Sequence, residues 1–268
     1  RIMPKENGSM SEQADITIIG AGVIGLAIAA EVAREDRSVY VLEKNKRFGQ
    51  EQSGRNSQVI HAGFYYEKDS LKTKMCLEGN RRLYQICRQN GIAHKECGKI
   101  IVAVNDIEAE EMEKVYQNGL DNGLPLKMLS RQEINRLEPH IKGISAFLSP
   151  TTGIIDCYGL VRYFADQATG QGVEIDYKTE VTAINKTSDG YEVQISNPTG
   201  ISTFNSQVVI NCAGLYSDRI TAMAGINVTE AGYKLHYCKG EFYSVGGGRN
   251  KLINRLIYPV PMTISVGV

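Results

Sequence analysis

Short apolar runs alternate with amphipathic stretches in the first part of the chain. Residues 14–20 (ADITIIG) form an apolar run that ends in glycine, which is typical of a buried strand. Residues 23–34 have the composition of a helix, residues 36–38 form a polar turn, and residues 39–42 form a second apolar run. Strand, glycine-rich turn, helix and strand in close succession predict a right-handed parallel βαβ unit.

The middle of the chain carries clear helix signals. An amphipathic pattern over residues 70–90 stops at Gly91, and residues 130–133 (SRQE) form a capping box that opens a short helix. Acidic residues begin another helix, as the helix dipole favours. The predicted helices cover residues 70–90, 106–122, 131 to just before Pro139, a segment up to Gly170 that is capped by Asp156, and 215–224.

Strand patterns dominate the second half. Asp189 and Gly190 form a hairpin turn signal between two of these strands. An apolar–polar alternation over residues 233–245 predicts a further antiparallel strand, followed by a glycine turn at 246–248. The predicted strands cover residues 98–104, 173–177, 180–187, 191–196, 201–210 and 233–245.

Charge and cysteine usage exclude several classes of protein. The chain has 30 lysines plus arginines and 30 aspartates plus glutamates, so its formal net charge is zero and neither nucleic acid nor an anionic membrane is indicated as a partner. Its six cysteines include no C-x-x-C pair, which argues against zinc, and we expect reduced thiols in a cytoplasmic protein. Peripheral contact with the inner membrane is the alternative location.

Two segments could be mistaken for targeting signals. Residues 16–30 carry no charge, but they contain three glycines and are too short to span a bilayer, so we predict no transmembrane segment there. Residues 1–9 are expected to be a polar extension before a natural start at Met10, and residues 1–13 are left out of the fold.

Residues 20–25 (GAGVIG) match the dinucleotide fingerprint G-x-G-x-x-G between a predicted strand and a predicted helix. Gly20 permits the tight turn, Gly22 lets the backbone approach a pyrophosphate, and Gly25 permits close packing of helix on strand. The helix N-terminus at Val23 and Ile24 then presents free N–H groups to the phosphates. An unrelated glycine turn is the alternative.

Glu43 ends the second strand and is placed to bind the ribose hydroxyls, which favours FAD or NAD over NADP. A long polar loop over residues 50–66 then interrupts the βα repeat that an NAD domain would continue, so we predict FAD. Further cofactor contacts are expected in the polar loop and at strand ends in the second half: Lys44, Ser53, Asn56, Ser57, Val181, Ala213 and Gly214.

Residues 53–66 (SGRNSQVIHAGFYY) are the most specific motif of the chain, and residues 149–156 (SPTTGIID), 211–218 (NCAGLYSD) and 239–243 (KGEFY) add further matches. With these residues the chain resembles the D-amino-acid-oxidase-like FAD oxidoreductases, a family that includes glycine oxidase and sarcosine oxidase. Within the family it resembles the branch of L-2-hydroxyglutarate dehydrogenases and oxidases, from about residue 14 to residue 261.

The resemblance implies an α/β fold in which an FAD-binding Rossmann-like domain of the glutathione-reductase type is interleaved with an α+β substrate domain that holds an antiparallel sheet. We expect the FAD domain at residues 14–75 and 145–225, and the substrate domain at residues 76–144 and 226–268. Family members continue beyond this point, so the resemblance also implies that the part closing over the flavin ring is missing and the substrate domain is incomplete.

The resemblance implies oxidation of a small carboxylate substrate, L-2-hydroxyglutarate, to 2-oxoglutarate by hydride transfer to the flavin. An amino-acid or amine oxidase of the glycine or sarcosine type shares that step and is the second enzyme hypothesis. A non-catalytic nucleotide-binding fragment is a third hypothesis from a different class. The electron acceptor stays open among oxygen, a quinone and an electron-transfer flavoprotein.

His61 is the candidate catalytic base, because it follows the polar loop and histidine titrates in the useful range. A histidine that only orients the loop and a histidine linked covalently to flavin are the alternatives. Arg55 is a candidate for bidentate binding of a substrate carboxylate, with a phosphate contact or a surface charge as the alternative. Further candidates for contact with the substrate are Tyr65, Lys239 and Tyr258.

Overall fold

The computed structural model describes residues 13–261, except for the side chain of Asn250. The helices within this range are α1 Val23–Val32, α2 Leu71–Asn90, α3 Asp106–Asp121, α4 Arg131–Leu137, α5 Cys157–Gly170 and α6 Ser217–Met223. The strands are β1 Gln13–Ile19, β2 Val39–Glu43, β3 Val59–Ile60, β4 His94–Lys95, β5 Lys99–Ala103, β6 Lys127–Leu129, β7 Ser145–Ser149, β8 Gly153–Ile155, β9 Glu174–Tyr177, β10 Glu180–Thr187, β11 Gly190–Asn197, β12 Gly200–Asn211 and β13 Leu256–Pro259.

The chain divides into two interleaved units. Unit 1 combines the described part of Arg1–Ser57 with Cys157–Tyr237, and unit 2 combines Gln58–Asp156 with the described part of Cys238–Val268. These boundaries differ from the expected ones near residues 75, 145 and 225. At the first two boundaries, β3 pairs with β8, and β7 pairs with β5 and β6, so that residues 58–75 and 145–156 belong to unit 2.

Unit 1 is built on a six-stranded sheet of order β10-β11-β12-β1-β2-β9. The strands β12, β1, β2 and β9 are parallel, and β11 and β10 extend the sheet in antiparallel fashion. The apolar strand β1 lies inside the sheet, where Ile16 is paired with Val39 on one side and Val208 on the other. The glycine turn that follows β1 therefore emerges at the carboxyl edge of the parallel strands, where α/β proteins bind ligands.

Helices cover unit 1 through two apolar clusters. Small residues of α1 and α5, among them Ala29 and Ala168, are completely buried and let these helices pack closely together and onto β1 and β2. In the second cluster, Ile220 of α6 packs with the apolar residues of β10 and β11. Burial on both sides fixes the positions of the strand ends that carry polar residues.

Unit 2 contains a four-stranded sheet of order β13-β5-β7-β6 and a three-stranded sheet of order β3-β8-β4. The pairings of β5 and β6 with β7 are antiparallel, as the substrate-domain prediction requires, whereas β13 joins β5 in parallel. Phe64 and Phe147 meet edge to face in its core, with ring centroids 5.4 Å apart. Every residue of β5 is buried, including Lys99.

The predicted helices are confirmed where local capping signals are strong. Ser70 accepts a hydrogen bond from the Thr73 N–H at 3.2 Å at the start of α2, and Gly91 ends that helix in the left-handed conformation. Both halves of the capping box are present at Ser130 and Glu133 of α4. The helix expected over residues 215–224 begins as a short 3-10 turn at Gly214–Tyr216 before α6.

The strand predicted over residues 233–245 is wrong. These residues form no helix or strand, and the large side chains of Tyr233, Tyr237, Phe242, Tyr243 and Val245 are 61–86% exposed. An apolar–polar alternation produces a half-buried strand only when a neighbouring strand supplies hydrogen bonds and a core covers the apolar face. Among the described residues no strand pairs with this segment. The turn expected at residues 246–248 is present at Gly247 and Gly248.

Residues 16–30 belong to β1 and α1, so the uncharged run is part of the sheet unit and its covering helix. Within residues 13–261 no helix combines the length and the hydropathy that a bilayer crossing needs. All six cysteines lie in this range, and none of them forms a disulfide there. The expected extension at residues 1–9 and the rest of residues 1–12 lie outside the described range.

Candidate functional site

The glycines of the turn after β1 are required by close contacts. Gly20 has φ +106°, and a Cβ there would stand 2.5 Å from the Cys212 carbonyl oxygen. A Cβ on Gly25 would overlap the carbonyl oxygen of Gly20. The turn therefore excludes side chains at both positions, as the fingerprint predicts.

Ser53 completes the start of α1. Gly22 is the N-cap of this helix and has no side chain to accept a hydrogen bond. The Ser53 hydroxyl takes that place and accepts from the Val23 N–H at 2.8 Å. The amide of Asn56 donates to the carbonyl oxygens of Gln52 and Ser53, which holds the loop. A loop residue thus lies at the helix end that binds anions in dinucleotide folds.

Glu43 anchors the same turn from the end of β2. Its side chain is buried, and Oε2 accepts from the Ala21 N–H at 2.9 Å. Oε1 accepts from both the backbone N–H and the side-chain amide of Asn45 at 2.8 Å. Because a carboxylate oxygen can accept two hydrogen bonds, one place on Oε2 is left for a ribose hydroxyl.

The opposite side of the turn is formed by the second half of the chain. The Thr179 N–H donates to the Glu43 carbonyl oxygen at 2.9 Å, which sets the start of β10 beside the end of β2. Val181 follows at an irregularity in the β10–β11 pairing. Ala213 and Gly214 follow β12 in the turn that leads to α6. Backbone from three strand ends therefore meets at one place.

Tyr216 lies beside these strand ends, and two cations contact its ring. The Lys44 ammonium lies 3.3 Å from the centroid of the Tyr216 ring, and the Arg219 guanidinium lies 5.3 Å from it. Lys44 also forms a 3.9 Å ion pair with Glu51. Such cation–π contacts favour this position of the Tyr216 ring. Neither Tyr216 nor Arg219 was among the predicted cofactor residues, although Tyr216 belongs to the NCAGLYSD motif and Arg219 follows it directly.

These groups line one cavity of about 450 Å³ within unit 1. The wall is largely apolar, and its polar groups are the helix start, the Glu43 carboxylate and strand-end backbone. This donor and acceptor set fits an adenine dinucleotide without a 2′-phosphate. The predicted cofactor residues that line the cavity are Gly20, Gly22, Val23, Ile24, Glu43, Lys44, Ser53, Asn56, Val181, Ala213 and Gly214.

Two predicted cofactor residues lie elsewhere. Gly25 is buried behind the turn, where its role is packing. Ser57 is exposed and does not line the cavity. Arg55 is also exposed and absent from the cavity wall. Lys239 has a side chain that is 82% exposed and forms a 2.5 Å ion pair with Glu241.

Unit 2 brings the other predicted residues together around a lysine that sequence reasoning missed. The Lys99 ammonium lies 3.7 Å from the centroid of the Tyr258 ring and 5.8 Å from that of Tyr65. The charge of Lys99 also acts on His61. Asn80 donates to the His61 carbonyl oxygen at 2.9 Å and fixes the backbone there. Lys99 is the first residue of β5, a position where a lysine is ordinarily exposed, so the sequence carries no signal of its burial.

Burial and positive charge set the protonation of this cluster. Burial, followed by the charges of Lys99 and Lys72, lowers the pKa of His61 to about 4. Burial lowers the pKa of Lys99 to about 8 and raises the pKa of the Tyr65 hydroxyl. At neutral pH the imidazole is therefore neutral and able to accept a proton, while Lys99 is mainly charged.

Comparisons with known proteins agree with this geometry. Residues 15–267 match the family model described as DAO, FAD dependent oxidoreductase. The chain is 37% identical over 259 residues to the mitochondrial L-2-hydroxyglutarate dehydrogenase of Homo sapiens, covering 92% of this chain and 55% of that protein. It is 35% identical over 249 residues to the L-2-hydroxyglutarate dehydrogenase of Escherichia coli strain K12, covering 92% and 58%. The chain thus spans just over half the length of these relatives.

Solved structures give the same fold. The FAD-bound, dithionite-reduced L-alpha-glycerophosphate oxidase of Mycoplasma pneumoniae matches with a TM-score of 0.79 and 28% identity, over 96% of this chain and 67% of that one. Glycine oxidase of Geobacillus kaustophilus matches with a TM-score of 0.72 and 24% identity, over 81% and 57%. The predicted Rossmann-like α/β architecture is confirmed by these similarities.

Proposed function

Because the chain belongs to the DAO family of FAD-dependent oxidoreductases, we propose that it serves the oxidation of L-2-hydroxyglutarate to 2-oxoglutarate. The observation that carries the flavin part is the unit 1 cavity, where the glycine turn, Glu43 and the Gly214 turn meet. Relatives named for L-2-hydroxyglutarate, at 35–37% identity, support the choice of substrate.

Unit 1 residues hold the cofactor in this proposal. The N-terminus of α1 and the Ser53 hydroxyl face the pyrophosphate, and the free place on Glu43 Oε2 accepts a ribose hydroxyl. Backbone at Val181 and Gly214 borders the nucleotide. When bound, FAD supplies the hydride acceptor of the reaction.

His61 takes the hydroxyl proton of the substrate. Its lowered pKa keeps the imidazole neutral across the physiological range, and a pKa of about 4 also makes it a weaker base than an unperturbed histidine. The hydrogen bond from Asn80 to the His61 backbone limits the movement of this segment. A purely orienting role or a covalent link to flavin would replace this assignment if His61→Gln kept full turnover or released the flavin.

Substrate contacts from Arg55, Lys239, Tyr65 and Tyr258 stay predictions. Tyr65 and Tyr258 share the cluster that contains Lys99, which favours them as pocket residues. Arg55 and Lys239 are exposed in the described structure. The electron acceptor and the cellular location also stay open predictions, with oxygen, a quinone or an electron-transfer flavoprotein as acceptor.

Anaerobic mixing of the flavin-loaded protein with candidate substrates tests the proposal. L-2-hydroxyglutarate should bleach the flavin absorbance, whereas its D-enantiomer serves as a matched control of the same charge. Glycine and sarcosine test the amino-acid or amine oxidase alternative, since both reactions deliver hydride to the flavin. Bleaching by glycine or sarcosine alone contradicts the choice of substrate, and bleaching by none of them favours the non-catalytic alternative.

A further inference from the structure

Lys99 is a buried charge without a hydrogen-bond acceptor. It lies in β5 with none of its surface exposed, and its Nζ has no hydrogen-bond partner among the described residues. An ammonium group has three donors, and nearly all buried polar groups in proteins are satisfied. Lys99 therefore calls for an explanation beyond ordinary packing.

The surroundings of Lys99 supply only part of what the ammonium needs. The Tyr258 ring, with its centroid 3.7 Å from Nζ, and the more distant rings of Tyr65 and Phe64 offset some of the desolvation cost. Ring faces accept no strong hydrogen bond. The hydroxyl of Tyr65 is a second buried polar atom without a partner in residues 13–261.

Glu138, a second fully buried charged residue of unit 2, has hydrogen-bond partners that Lys99 lacks. Glu138 is also completely buried, but its carboxylate accepts from the Arg255 guanidinium at 3.2 Å and from the Asn254 N–H at 3.0 Å. The same fold thus provides a full partner set for a buried acid and none for the buried lysine. This contrast indicates that the partner of Lys99 comes from outside the described residues.

The sign of the surrounding charge defines that partner. Besides burial, the groups that shift the pKa of His61 are the two cations Lys99 and Lys72, and no carboxylate within residues 13–261 is among them. The pKa of Tyr65 is raised by burial and then by Tyr258 and Tyr66, and no carboxylate of the described part of the chain contributes. A site with excess positive charge and a neutral hydroxyl donor suits a carboxylate.

We propose that Lys99 Nζ and Tyr65 Oη form an anion subsite that binds a carboxylate of the acid substrate. The inference rests on the proposed function for the identity of that acid. Because Lys99 is fully buried, the carboxylate reaches Nζ only after a covering side chain moves. The Tyr258 ring is in closest contact and is partly exposed, so it is the side chain that turns aside.

Calorimetric titration of the flavin-loaded protein with glutarate, a dicarboxylate without the reactive hydroxyl, tests the subsite. Lys99→Met should weaken glutarate binding at least tenfold, and Tyr65→Phe should weaken it about three- to tenfold. Lys95→Met and Tyr116→Phe in the same unit are the matched controls and should stay within twofold. Wild-type affinity in Lys99→Met, or no glutarate binding by the wild-type protein, would overturn the proposal.

Folding and function are separated by two further readouts. The urea midpoint of Lys99→Met should equal or exceed that of the wild type, because methionine removes an uncompensated buried charge. Tyr65→Phe gives an independent measure if Lys99→Met fails to fold. Lys99-dependent glutarate binding without bleaching by L-2-hydroxyglutarate would support the subsite and reject the proposed function. Bleaching of the flavin by L-2-hydroxyglutarate, together with glutarate binding that does not depend on Lys99, would support the proposed function and reject the subsite.

Discussion

Replacing Glu43 by glutamine tests the polar anchor of the nucleotide cavity. The carboxylate accepts one hydrogen bond from Ala21 on Oε2 and two from Asn45 on Oε1. A glutamine must place its NH₂ group where either Oε1 or Oε2 now lies. Placing it at Oε2 loses only the hydrogen bond from Ala21, whereas placing it at Oε1 would lose both bonds from Asn45. Losing one charge-assisted bond, with two donors then facing each other, costs about 1.5–3 kcal/mol. For a chain of this size the melting temperature should fall by about 3–6 °C.

The same change should weaken FAD binding, because the Ala21 N–H lies inside the phosphate-binding turn. We expect the dissociation constant, measured by quenching of flavin fluorescence on the apoprotein, to rise about tenfold, which corresponds to about 1.4 kcal/mol. Glu180→Gln is the control, since Glu180 lines the same cavity and is exposed. An unchanged melting temperature and an unchanged dissociation constant in Glu43→Gln would refute the anchoring role.

Three further perturbations have defined outcomes. The pKa of His61 is lowered from 6.5 to about 4, so between these pH values the unfolded chain binds more protons than the folded protein. The free energy of unfolding should therefore fall as the pH drops from 6.5 towards 4, by about 1–2 kcal/mol for a partly exposed ring. Urea titrations at several pH values should show a weaker pH dependence in His61→Gln. Ser53→Ala removes the acceptor of the Val23 N–H and should cost about 1 kcal/mol in thermal unfolding. Lys99→Met should raise the free energy of unfolding at pH 7 by up to about 3 kcal/mol, measured by urea denaturation, since burial lowers the Lys99 pKa from 10.5 to about 8.

Local signals in the sequence were sufficient for the helices and for the nucleotide turn. Ser70, Gly91 and the capping box act within a few residues of themselves, so their effect does not depend on the rest of the fold. The glycine turn is similar in part, because Gly20 adopts φ +106° and a Cβ on Gly25 would overlap the Gly20 carbonyl oxygen, whereas the contact of Gly20 with Cys212 is long-range. These features were readable before any tertiary contact was known.

Features that depend on distant partners were not readable. The alternation over residues 233–245 resembles a strand, but a strand needs a neighbour, and none pairs with it in the described structure. Conversely, β13 forms by pairing with β5, more than 150 residues earlier in the chain. Lys99 was missed for the same reason, since only packing on both faces of β5 reveals that its side chain is buried.

The two units differ in how their polar groups are satisfied, and this has a consequence for ligand binding. In unit 1, Ser53 and Asn45 already occupy the helix start and the Glu43 carboxylate, so the cavity keeps its shape through internal hydrogen bonds. In unit 2, Lys99 and Tyr65 have no such partners in residues 13–261. An anion that binds unit 2 would remove a desolvation cost that the fold bears alone, so its binding should stabilise the protein more than its contact area suggests.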